Sequence, residues 1–312
     1  MNFVTTCTAR KTVPCPAELS AKTLHEGCAK ERFAEWSNRL TQSKEPKTAP
    51  VDLYCGNSWA IARRIHEQHA KNIDVWVASA GHGLISIEER VVSYAATFSR
   101  QEEDFVLGPD SDSTTEEWWE VLCARRAKSK HYPYSLADIA STHPSRPLLV
   151  AFSAEYFRAA RADLTKAQTL LEDPDLLVIV SAGGKPDKAL GPNMVPCDSR
   201  LEHVFGKSRM ALNLRVAEAL IQHFPQKQLR ASNVAAHLGE ILEGLPPSKY
   251  PDRTPSTDEE VNAFLRKRTS ASDNHSYTGL LREYRATGRA CEQRRFRALY
   301  RHQASTNQTQ NA

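Results

Sequence analysis

Apolar and polar positions follow two rhythms through the first 180 residues. Short, nearly continuous apolar runs occur at 3–7 (Phe-Val-Thr-Thr-Cys), 73–79 (Ile-Asp-Val-Trp-Val-Ala-Ser), 148–153 and 176–180. Each is stopped by small or polar residues, a pattern that predicts buried strands. Between them apolar positions recur at helical spacing. Leu24, Cys28 and Trp36 predict a helix over 20–41, and Trp59, Ala62 and Ile65 predict the next. Phe157, Ala160, Leu164, Ala167 and Leu171 follow at intervals of 3, 4, 3 and 4. Further helices are expected at 116–127, 213–224 and 232–244, with loops at 44–50 and 100–115. Strand and helix signals alternate to about residue 224. That alternation predicts an α/β fold, a mostly parallel sheet flanked by helices, over residues 1–245.

The rhythm changes at 246–256, where Pro246, Pro247, Pro251 and Pro255 interrupt a polar stretch and predict a linker. Ser256-Thr257-Asp258-Glu259 then reads as a capping box. It opens a small all-helical C-terminal module over 257–304, with helices at 257–268, 276–286 and 290–302 and a disordered tail at 305–312. Gly288 separates the last two helices, which gives a helix-turn-helix-like layout.

Composition narrows the class. The 312 residues are 25% charged and 40% hydrophobic, which excludes a mainly disordered or collagen-like chain. No apolar run reaches the roughly 18 residues of a membrane span, and the N-terminus lacks a signal peptide's apolar core. Seven cysteines without a C-x-x-C pair predict reduced thiols, with no metal site and no cofactor, in a cytoplasmic protein. Charge is unevenly placed. Residues 261–302 hold ten Lys/Arg against three acids, a local +7 in a chain of net +4, which leaves −3 for the remainder. Such a local field points to a polyanion partner. Arg282, Arg285, Arg289, Arg294, Arg295 and Arg297 are the candidate nucleic-acid contacts, arginine being suited to phosphate and guanine.

Candidate chemistry gathers at the predicted carboxyl ends of strands, where open α/β sheets bind ligands. Asp52, Tyr54, Gly56, Asn57 and Ser58 form one cluster, a strand-to-helix junction with free N–H groups at the helix start. Ser79-Ala80-Gly81-His82-Gly83, with Glu88 and Tyr94, forms another. His82, flanked by glycines past a buried strand, is expected to be exposed and to exchange protons near neutral pH. Gly183-Gly184, after the fourth strand, is expected to form a second wall, and Ser181 at that strand's end is a candidate substrate contact.

Thr6-Cys7-Thr8, Asp52-Leu53-Tyr54-x-Gly, Ser79-Ala80-Gly81-His82-Gly83-Leu84-Ile85 and Tyr94 together resemble a pattern of little-characterised bacterial YaaA-like proteins. The resemblance covers roughly residues 1–100, and His82 stands where an aromatic or lysine is more usual. It implies kinship with proteins that handle modified bases, including archaeosine and deazaguanine enzymes and antiviral DNA glycosylases acting on phage DNA. The implied fold is a glycosylase-like layered domain.

These lines converge on a DNA glycosylase that excises modified bases from phage DNA. A flipped base would be stacked by Tyr54, Trp59 or Tyr94 and read by Asn57 and Ser79. Asp52 or Glu88 would offset charge on the sugar, and His82 would serve the departing base. The alternatives are a non-catalytic DNA-binding regulator or sensor, and a base-modifying transferase.

Overall fold

The computed structural model describes residues 1–108, 111–127, 133–181, 187–206, 211–247, 253–269 and 276–310. Ala182, Gly183, Gly184, the middle of the expected linker and the side chain of Arg294 lie outside the described residues. The chain divides into two compact units, Met1–Pro247 and Ser248–Ala312.

The first unit is built on a five-stranded sheet: β1 (Asn2–Thr6), β2 (Asp74–Ser79), β3 (Gly83–Ser86), β4 (Leu148–Ala151) and β5 (Leu177–Val180). Their order is β3-β2-β1-β4-β5. All pairs are parallel except β2 with β3. Every residue of β4 and β5 is buried. Successive strand residues point to opposite faces, so both faces are covered, and this is why these strands read as unbroken apolar runs.

Its α-helices of six or more residues, among the described residues, are α1 (Ala29–Gln42), α2 (Asn57–His69), α3 (Thr115–Arg126), α4 (Leu136–Thr142), α5 (Ala154–Ala159), α6 (Arg161–Leu170), α7 (Leu212–His223) and α8 (Ala231–Glu243). They pack in two groups. Helix α2 lies on α7, which rests with α8 against the sheet, while α3 joins α1 and α5, and α4 pairs with α6.

Three local expectations change. The helix expected from residue 20 starts at Ala29. The buried Arg32 guanidinium takes the carbonyls of Ala21, Leu24 and His25 as acceptors, which holds that stretch out of the helix. The helix expected from Phe157 to Leu171 breaks at Ala160, yet Phe157, Leu164 and Ala167 stay buried on one continuous face. Ser79 to Gly83 is a tight hairpin rather than an open loop, with Ala78 opposite Leu84 and Val77 opposite Ile85.

The second unit holds α9 (Asp258–Thr269), α10 (Tyr277–Ala286) and α11 (Gln293–Gln310) around Val261, Leu265, Leu280, Tyr284 and Phe296. It is not wholly helical. Thr254–Pro255, from the expected linker, pairs in parallel with Arg289–Ala290. The capping box sits one residue later than expected. Thr257 Oγ1 accepts the Glu260 N–H at 3.3 Å, and the Glu260 carboxylate accepts the Thr257 N–H at 3.1 Å. Helix α11 runs to Gln310, through most of the segment expected as a tail. The seven cysteines are free thiols, and no helix among the described residues is long and apolar enough to cross a membrane.

Candidate active site at the carboxyl edge of the sheet

Strand β1 lies mid-sheet. From it the chain goes to β2 on one side and later returns to β4 on the other. The order therefore reverses between β1 and β4, and the crevice outside their carboxyl ends is where such sheets place ligands. Cys7 and Thr8 leave β1 there, and Phe152-Ser153 leave β4. The Cys7 thiol and the Tyr156 hydroxyl bridge the gap at 2.9 Å. Ser153 caps α5 by accepting the Tyr156 N–H, which aims this tyrosine.

The strap after β1 is held on the segment around Tyr54. The Thr12 N–H donates to the Leu53 carbonyl at 2.9 Å and the Cys55 N–H to the Arg10 carbonyl at 3.1 Å. This pairing sets the Lys11 ammonium 4.3 Å from the ring centre of Tyr94 and 5.6 Å from that of Tyr54. Burial lowers the Lys11 pKa from its ordinary value. Among the described residues no carboxylate lies within ion-pair reach of Lys11. Sequence reasoning missed Lys11. Its only signal was position, a few residues past the first strand.

Beneath the strap runs a chain of hydroxyls. Ser79 Oγ meets the Tyr94 hydroxyl at 2.6 Å, and Tyr94 meets the Tyr54 hydroxyl at 2.8 Å. Burial first, and then the neighbouring Cys7, raise the pKa of Tyr54, Tyr94 and Tyr156 well above that of a free phenol. All three stay neutral and can donate one proton while accepting another. Ser79 also accepts the His82 N–H at 3.0 Å and the Gly81 N–H at 3.3 Å, which closes the hairpin. Two indoles fasten it from outside, Trp36 donating to the Gly81 carbonyl and Trp118 to the Ala80 carbonyl, both at 2.8 Å.

The structure thus brings Tyr54, Ser79, Tyr94 and His82 into one cluster. His82, however, is 7% exposed rather than open to solvent. Its ring meets Tyr94 edge to face at 4.8 Å, and Nε2 donates to the Val92 carbonyl at 3.0 Å. Burial pushes its pKa down to about 3, so at neutral pH it is an uncharged packing residue. The hairpin explains the error, because β3 folds straight back and draws Tyr94 onto the ring. Tyr54 and Tyr94 are equally enclosed. Tyr54 meets Trp59 edge to face at 4.9 Å, so neither Tyr54 nor Trp59 offers a free stacking face.

The other expected residues scatter. Glu88 follows β3, which runs antiparallel to β2, so the carboxylate lies at the opposite edge of the sheet. The Ile87 N–H donates to the Val75 carbonyl, four residues or about 13 Å before Ser79 at the rise of a strand. Glu88 is exposed there and pairs with His66 at 3.4 Å. Asp52 is exposed on a helical turn (Pro50–Leu53) whose Pro50 and Leu53 are buried, and its carbonyl accepts the Thr12 hydroxyl at 2.7 Å. Gly56, at φ 108°, caps α2 in a conformation that favours glycine. Asn57 is exposed and Ser58 half-buried in the first turn of α2. Gly83, at φ 80°, faces Leu122 and Arg126 of α3 rather than the crevice. Ser181, just past β5, is buried with its hydroxyl unpartnered among the described residues.

Space for a ligand adjoins the crevice. A cavity of about 620 Å³ is lined by Phe98, Ser99, Thr114, Glu155, Arg158 and Arg161 among others. The Phe98 ring stands 4.9 Å from that of Tyr156, one residue away from Cys7. Among the described residues no group of three or more His, Cys, Asp or Glu side chains gathers as a metal site.

In the second unit the arginines divide. Arg295 binds Asp258 at 2.5 Å and the Ser256 carbonyl at 2.9 Å, and Arg289 binds Glu260 at 2.9 Å. Arg297 stands 5.3 Å over the Tyr277 ring. Arg282 and Arg285 line a cavity. Compared with family models, curated proteins and solved structures, the chain matches none of them.

Proposed function

We propose that this protein acts on the bases of DNA, as a glycosylase-like enzyme that releases a modified base by cleaving its N-glycosidic bond. The observation that carries this reading is Lys11: a half-buried ammonium with no carboxylate partner among the described residues, set over the Tyr94 and Tyr54 rings on the strap that leaves the carboxyl end of β1. Breaking the C1′–N bond leaves the electron pair on the base and positive charge on the sugar. An ammonium whose pKa is drawn down by burial is a good proton donor to that leaving base. Lys11 gives its proton to the base, water adds to C1′, and the proton water sheds restores Lys11. The neutral Tyr54–Tyr94–Ser79 chain keeps the rings under Lys11 in place. The basic second unit supports a nucleic-acid substrate, and modified phage DNA is the substrate the motif resemblance favours. Asp52 and Glu88 have no part in this version, because Asp52 is itself exposed and Glu88 lies at the far edge.

The test is incubation with modified phage DNA and with unmodified DNA, followed by alkali and by chromatography for free base. Strand breaks and free base from modified DNA alone support the reading. Retarded migration with intact strands and no free base would reduce the protein to a binder. An altered base still attached to its sugar would make it a transferase.

A further inference from the structure

Three of the second unit's cationic side chains converge where no acid does. Arg253, Thr278, Leu281, Arg282, Arg285 and Gln293 line a cavity of about 300 Å³. Thr278, Leu281, Arg282 and Arg285 come from α10 at the spacing of one helical face. Arg253, which the sequence assigns to the linker, is drawn in by the short parallel ladder that follows it. Its Nε donates to the Arg285 carbonyl at 3.1 Å, and Arg285 in turn donates to the Cys291 carbonyl at 2.9 Å. Those bonds orient two guanidinium groups and leave each with N–H donors to spare. Arg282 is exposed and has neither ion pair nor hydrogen bond among the described residues.

The contrast with neighbouring arginines is informative. Arg268 is paired with Glu283, Arg289 with Glu260 and Arg295 with Asp258. The unit thus neutralises several arginines internally and keeps three unpaired with carboxylates around one hollow. Planar guanidinium donors suit the oxygens of a phosphate, and a hydroxyl (Thr278) and an amide (Gln293) add neutral donors. Leu281 gives the hollow an apolar floor, which suits a sugar beside the phosphate. The volume is that of a small ligand pocket rather than of a lone oxyanion.

We propose that this cavity seats a backbone phosphodiester of a nucleic acid, held by Arg253, Arg282 and Arg285, and that Arg289 and Arg295 stabilise the unit instead of touching the ligand. The proposal rests on the reading that the partner is DNA.

The experiment is fluorescence anisotropy of full-length protein with a labelled duplex across a salt series. Arg253→Gln with Arg282→Gln should weaken binding at least tenfold at low salt. It should also flatten the slope of log K against log salt by about 2, as each lost phosphate contact removes about 0.9. Arg282→Glu, at an exposed and partnerless position, is a second variant that leaves the fold intact and should weaken binding comparably. Arg289→Gln with Glu260→Gln should leave the slope unchanged. Unchanged slope and affinity in both cavity variants would overturn the proposal. So would capture of inorganic phosphate or a mononucleotide, at concentrations that leave duplex binding undiminished, because the hollow would then serve free phosphates. Base release is measured on the same preparations. Loss of the slope effect with base release intact counts against the cavity alone. An intact slope effect without base release counts against the enzymatic reading alone.

Discussion

Single side chains at the carboxyl edge divide into those that hold the site and those that can do chemistry. Gly81 belongs to the first kind. A Cβ there would stand 2.4 Å from the Tyr94 ring and 3.1 Å from Trp36. Gly81→Ala should therefore cost about 1–3 kcal/mol in urea unfolding, the usual penalty for overpacking. Lys11 belongs to the second kind. Lys11→Met should lower base release by at least about 100-fold, the scale of one general acid, with the unfolding midpoint little changed. His82 gives a signature in pH. The unfolded chain takes up a proton at His82 near 6.5, and the folded chain refuses it until about 3. The unfolded state thus binds more protons between those values, so stability must fall as pH drops through that window. His82→Leu should remove this part of the decline when urea midpoints are compared from pH 7.5 to 4.5. Equal slopes in both proteins would mean that His82 is not held neutral.

At the level of elements, α3 is pinned to the turn after β3 by an enclosed ion pair. Arg126 binds both Glu89 oxygens at 2.5 and 2.6 Å, and the side chains are 11% and 16% exposed. Removing one partner strands the other charge in a poor solvent for it. Glu89→Ala should destabilise the first unit by about 3 kcal/mol. Helix α9 is tied more loosely, by Arg295 to Asp258 and by the Thr257–Glu260 box. Both groups in the Arg295 pair are over a third exposed, so Arg295→Ala should shift the second unit's melting only slightly and leave the salt slope of DNA binding intact. A lost slope would return Arg295 to the interface that the sequence suggests.

On the scale of the whole chain, two separate cores predict two unfolding events. The second core is small, with Val261, Leu265, Leu280, Leu281, Tyr284, Cys291 and Phe296 as its buried members. Small domains bury a lesser share of their surface and are correspondingly marginal. Differential scanning calorimetry should show the second unit melting first. Glu89→Ala should move only the later transition, and Phe296→Ala only the earlier one. A single transition moved by both variants would mean that the cores unfold as one.

Periodicity and composition were enough for the parallel strands, the helices from Thr115, Leu212, Ala231, Asp258 and Tyr277, and the boundary near residue 247. These depend on local spacing and on burial of both sheet faces, which leave their mark in consecutive residues. Tyr54 was legible in one cluster, just before the Gly56 turn, and Ser79 with Tyr94 in another, Ser79 closing an apolar run; that the two clusters meet through the Tyr94 hydroxyl is decided by the tertiary structure. The hairpin at Gly81–Gly83 was not. Whether two glycines open a loop or turn a strand back depends on the tryptophans that receive it, and Trp36 and Trp118 come from distant helices. That one turn decided that His82 is buried and that Glu88 lies at the wrong edge. Lys11 has no signature beyond its position after the first strand, because the two rings beneath its ammonium, Tyr54 and Tyr94, come from residues 40 and more positions away. Basic residues could be counted in the sequence, but which arginines are spent on carboxylates and which surround a hollow is a matter of partners. Partners are chosen by the three-dimensional packing of α9, α10 and α11, where a guanidinium's reach decides what it neutralises.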